Sequence, residues 1–124
     1  MSKVVKDWVQ IAEYDLATAK IMLKTGRFLY VLFMCQQAIE KILKAIYTNQ
    51  KKETPPRTHN LSYLADLLNL DISDLDKIFL LELNQFYVRS RYPEQEVKSV
   101  QPIDEKRAEV YFQQAKEVFI LYTC

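Results

Sequence analysis

The chain has 124 residues, 49% apolar and 27% charged, and its 17 basic and 16 acidic side chains leave a net charge of +1, the profile of one folded domain spanning residues 1–124 and not of a disordered chain. One glycine and four prolines supply too few turns for many short strands, which excludes an all-β fold and implies long uninterrupted elements. The longest apolar run, residues 28–35, is far below the roughly 18 residues of a membrane span, and Met-Ser-Lys begins no signal peptide, so a cytoplasmic protein with no membrane role is expected.

The first helix is predicted over residues 4–23, where Val5, Trp8, Ala12, Ala19, Met22 and Leu23 recur at helical spacing and Gly26 supplies the stop. Residues 29–49 repeat the pattern with Leu32, Cys35, Ile39, Ile42 and Ile46, while Gln37, Glu40, Lys41 and Lys44 read as the other face. The polar stretch 50–60, with Pro55-Pro56, reads as the longest loop and a place for function. Asn60 or Thr58 caps a short helix through Leu61, Leu64, Leu67 and Leu68, and Ser73 with Asp76 starts another that runs to about Arg89. Tyr92-Pro93 ends it, and Asp104 caps a last helix carrying Ala108, Phe112, Ala115, Phe119 and Tyr122. Short links between helices one and two, and between three and four, favour antiparallel neighbours. The fold class is all-α, an up-and-down bundle of about five helices. Trp8, Ala12, Ala19, Leu32, Cys35, Ile39, Ile42, Leu64, Leu68, Leu75, Phe79, Phe112, Ala115 and Phe119 are expected in its core.

The near-neutral total conceals an asymmetry. Residues 41–60 carry Lys41, Lys44, Lys51, Lys52 and Arg57 against Glu53, whereas residues 61–86 carry five acidic residues against Lys77. A basic helix end running into a basic loop with His59 attracts phosphate, although a solvated charged face reads the same way. Arg89, Arg91 and Tyr92 fall where helix four ends. Two planar guanidinium forks suit phosphate oxygens and a phenol stacks on a base; the alternative is an arginine paired internally with Asp15 or Glu40. Asp15 sits on the apolar stripe of helix one and needs a partner. Asp15, Gln37 and Glu40 are thus candidates for a structural polar core. His59 is the only histidine, with no hydrolase or zinc-protease spacing around it. Capping or packing is its ordinary role, and no metal site or cofactor is expected. Cys35 and Cys124 read as a core thiol and a terminal one.

Trp8 with Glu13-Tyr14-Asp15-Leu16, then Gln36-Gln37-Ala38-Ile39-Glu40-Lys41 continuing Leu43-Lys44-Ala45, then Thr58-His59-Asn60-Leu61, then Arg91-Tyr92-Pro93 form a series that resembles the HEPN family, the higher eukaryotes and prokaryotes nucleotide-binding domain, across nearly the whole chain. The resemblance implies an antiparallel bundle of about five helices, a homodimer and, in prokaryotes, pairing with a minimal nucleotidyltransferase. Many members are toxins of toxin–antitoxin pairs that cut RNA without a metal, and their signature is an arginine followed four to six residues later by a histidine. This sequence departs from it. Those positions hold Pro93, Glu94 and Gln95 after Arg89, and Gln95, Glu96 and Val97 after Arg91. Without that imidazole, acid–base catalysis of the family's kind loses its agent. The expectation is a non-catalytic domain that binds a nucleotide or RNA phosphate through Arg89, Arg91 and Tyr92, with Lys44 and His59 in support and no catalytic residue. The competing expectations are a divergent ribonuclease in which His59 replaces the missing histidine, and a dimeric scaffold.

Overall fold

The computed structural model describes residues 2–89 and 103–123. Among them are five helices: α1 (Lys3–Lys24), α2 (Phe28–Lys51), α3 (Leu61–Leu68), α4 (Asp74–Arg89) and α5 (Glu105–Thr123). The all-α bundle expected from the periodicity is the fold observed, and the local stop and start signals set its helix ends. Ser2, Asn60, Ser73 and Asp104 each accept a hydrogen bond from the backbone N–H three residues on, satisfying donors that a helix start otherwise leaves unpaired. At the end of α1, Gly26 adopts φ +80°. The Arg27 and Gly26 N–H groups turn back to the Met22 and Leu23 carbonyls at 2.9 and 3.4 Å, a closure that needs a left-handed residue at that position.

The central element is α2, which packs against each of the other four helices. Its side chains are buried around most of its circumference, with Val31, Leu32, Cys35, Ala38, Ile39 and Leu43 fully enclosed, as a helix wrapped by neighbours requires. Its nearest partner is α1, whose Ala12 and Ala19 are fully buried and, being small, let the two backbones approach. Trp8 meets Lys44 while Asp15 meets Lys41, so a rising number on α1 pairs with a falling one on α2 and the two run antiparallel. Leu61, Leu64, Leu80, Leu83 and Phe86 close the opposite side. Full burial of each such side chain contributes about 1.5–3 kcal/mol relative to exposure.

Three core expectations are corrected. Leu75 is 75% exposed. It lies on the angular sector of Phe79 and Phe86, but in the first turn of α4, one turn short of the side chains that reach α2. Trp8 and Phe119 are half-buried. The second face of α2 also differs from its polar reading, because Glu40 and Lys44 are 4% and 7% exposed. The loop carrying His59 and the ring of Trp8 lie against that face.

Candidate functional site

Positions 36, 40 and 44 stack on one face of α2 because residues four apart are neighbours on a helix. The Gln36 amide Nε2 donates to Glu40 Oε1 at 3.1 Å, and Lys44 Nζ donates to Glu40 Oε2 at 3.0 Å. From the loop before α3, His59 Nδ1 approaches Glu40 Oε1 at 2.9 Å. The same loop is pinned through its backbone, since Gln36 Nε2 also donates to the His59 carbonyl at 3.0 Å. Gln37 completes the chain by donating to Gln36 Oε1 at 2.7 Å. A buried carboxylate costs several kcal/mol unless it is paired and hydrogen-bonded. Glu40 meets that demand with three donors, one of them the Lys44 ammonium, whose charge also lies 5.9 Å over the centroid of the Trp8 ring. Beside it Asp15, buried on α1, accepts from Lys41, the next residue of α2 after Glu40, so its partner among the described residues is a lysine.

An ionised carboxylate only accepts hydrogen bonds, so Nδ1 of His59 carries the proton. In the neutral imidazole Nε2 is then the lone-pair nitrogen. The side chain is 49% exposed and its ring stacks on Tyr87, with centroids 3.8 Å apart and planes inclined by 20°. Tyr87 stacks in turn on Phe33 of α2 at 6.1 Å. These contacts tie the loop, α2 and the last turn of α4 together. Asn84, one turn earlier on α4, locks the same junction: its Oδ1 accepts from the Leu61 N–H at 2.7 Å, and its Nδ2 donates to Asn60 Oδ1 at 3.1 Å.

The sequence candidates therefore divide. Gln37, Glu40, Lys44 and His59 come together in one network, with Asp15 in a separate pair beside it. Arg89 is the last residue of α4, and Arg91 and Tyr92 lie outside the described residues. Lys44 is enclosed against Glu40 and so does not present its charge to solvent. The cations of the basic stretch that do so are Lys51, Lys52 and Arg57, exposed and without an ion-pair partner among the described residues. Sequence reasoning missed Gln36, Tyr87 and Asn84 as site residues. Asn84 stands out in hindsight as a short amide inside the apolar run of α4, whereas nothing in the pattern distinguishes Tyr87 from the aromatic residues beside it.

No cluster of metal-ligating side chains occurs among the described residues. None of the helices among the described residues is long and apolar enough to cross a membrane. The arrangement is one buried carboxylate that fixes an imidazole, and an aromatic row that brings the imidazole to the C-terminal turn of α4.

Comparison with known proteins accords with this architecture. The fold is similar to the crystal structure of TT1696 from Thermus thermophilus, with a TM-score of 0.83 and 21% identity over 98% of both chains. It is also similar to ST0689, an archaeal HEPN homologue, with a TM-score of 0.74 and 26% identity over 98% of this chain and 97% of that one. A search of curated proteins finds no match. The family model of the HEPN domain matches residues 5–122, which takes in every element of the bundle. This chain belongs to the HEPN family.

Proposed function

We propose that this HEPN domain binds a nucleotide or the phosphates of RNA without cleaving them, through Arg89, Arg91 and Tyr92 with His59 in support, beside the C-terminal turn of α4. The observation that carries the reading is the His59–Tyr87 stack. Tyr87 lies in the last turn of α4, two residues before Arg89 and four before Arg91 in sequence, so the stack sets the only imidazole of the chain beside the turn that ends in Arg89. Half-exposed His59 offers a hydrogen-bonding ring edge beside that end, and Arg57, two residues earlier on the same loop, is exposed and has no ion-pair partner among the described residues. Lys44 acts indirectly, by neutralising the carboxylate that orients His59. This departs from direct phosphate contact by Lys44 and follows from its burial.

A second reading has one observation in its favour. Glu40 at Nδ1 leaves Nε2 of His59 as a proton acceptor, the geometry a general base uses, which suits a divergent ribonuclease of a toxin–antitoxin pair. Binding is preferred because the arginine–histidine spacing of the cutting members is missing. Titration of labelled single-stranded RNA at several salt concentrations tests the preferred reading. Affinity should fall as salt rises, and each phosphate contact removed, as in Arg91→Ala, should flatten the log–log slope by roughly 0.7. Salt-independent affinity, or an unchanged slope in Arg89→Ala and Arg91→Ala together, would overturn it.

The partners belong to the same proposal. Family membership supports a minimal nucleotidyltransferase, beside which this chain is the substrate-binding subunit. A homodimer is supported by α4, which leaves Leu75, Ile78 and Leu81 exposed along one side; one bundle contact does not cover its apolar surface. Light scattering should give a dimer mass for the parent and a monomer for Leu81→Glu, whereas a monomeric parent at micromolar concentration refutes that assembly.

A further inference from the structure

Away from His59, the end of the bundle where α1, α2 and α5 meet the α3–α4 link forms a half-open cavity of about 800 Å³, within the range of small-molecule sites. It shares no residue with the Glu40 network. Its walls include Val5 and Val9 of α1, Ile42 and Ile46 of α2, and Leu70 from the link. We propose that this cavity binds a small organic cation, an apolar body bearing an ammonium or guanidinium group.

Three observations select that chemistry. First, the ionisable carboxylates at the cavity are Glu13 of α1 and Asp71 of the α3–α4 link, and no lysine, arginine or histidine lines it. Neither carboxylate has an ion-pair partner among the described residues, so the charge of one sign is left uncompensated at the edge of an apolar hollow. Second, Asn49 and Gln50 at the end of α2 add amide oxygens that accept from an ammonium's remaining protons. Third, the aromatic residue Tyr122 lines the cavity. An aromatic face attracts a cation. An anionic ligand would meet two like charges here.

Calorimetric titration of the full chain with 4-phenylbutylammonium chloride and, separately, with sodium 4-phenylbutyrate tests the proposal. The cation should bind at least about tenfold more tightly than the anion of matched shape, equivalent to about 1.4 kcal/mol. The double variant Glu13→Gln, Asp71→Asn alters only exposed side chains and should fold normally. It should lose most of that preference while retaining RNA affinity, which separates this cavity from the site beside His59. Equal affinity for the two probes, absence of binding by the cation, or a preference that persists in the double variant overturns the proposal.

Discussion

His59 Nδ1 and Glu40 Oε1 lie 2.9 Å apart, joining residues nineteen positions apart in sequence across the boundary between a loop and the central helix. The contact gives Glu40 its third donor and His59 a fixed tautomer. One carboxylate thereby serves both the stability of α2 and the orientation of the one imidazole in the chain.

Removing Glu40 leaves Lys44 buried without a counter-charge and frees donors on Gln36 and His59. Glu40→Ala should therefore destabilise the fold by about 3–5 kcal/mol, the range for breaking a buried pair from one side. Asp15→Ala should fall at the lower end of that range, because the Lys41 side chain is 20% exposed and regains water. Urea unfolding measures both. Asp7→Ala, which breaks an exposed pair with Lys3, is the control and should leave the midpoint nearly unchanged.

Asn84 supplies the acceptor for the Leu61 N–H at the first turn of α3. Asn84→Ala should cost about 1–3 kcal/mol, the penalty of a donor left without its partner. Hydrogen exchange gives the specific readout: the Leu61 amide should exchange faster in the variant. Unaltered protection at Leu61 would show that Asn84 does not hold the junction.

Tyr122 carries a consequence for alkaline stability. Burial, aided by the nearby Asp76 charge, pushes its phenol up to about 12, whereas the unfolded chain titrates near the ordinary value of about 10. Between these values the unfolded chain binds fewer protons than the folded one, so stability is fully present below about pH 10 and is lost as pH rises towards 12. Tyr122→Phe removes an unsatisfied hydroxyl as well as this titration. At pH 7 it should be neutral or mildly stabilising, and its urea midpoint should fall less than the parent's between pH 10 and pH 12. Parallel curves for the two proteins would contradict this assignment.

The helices were legible because their signals are local. Ser73, Asn60 and Asp104 announce starts within three residues of themselves, and Gly26 announces a stop, so no tertiary information is needed. Burial at the ends of elements was less legible, since Leu75 has the periodicity of a core residue and lacks only a neighbour. The Glu40 network shows where pattern reading stops. Gln37, Glu40 and Lys44 look like a polar helix face, yet Glu40 and Lys44 are buried because the loop carrying His59 and the ring of Trp8, distant in sequence, fold over them, while Gln37 stays half-buried. The pairing of Asp15 was demanded by its place on an apolar stripe, yet the identity of Lys41 as partner depended on the register between α1 and α2.

The most direct test of a domain that binds RNA phosphate without cutting it follows binding and integrity of the same RNA in one experiment. Purified protein is incubated with end-labelled single-stranded RNA in the presence of a metal chelator, and parent, His59→Ala and Arg91→Ala are compared on native and denaturing gels. The account predicts that the parent retards the RNA at low salt and leaves it intact, that Arg91→Ala weakens retardation, and that His59→Ala weakens it less. Metal-independent cleavage by the parent, abolished in both variants while their folds remain intact, would contradict it.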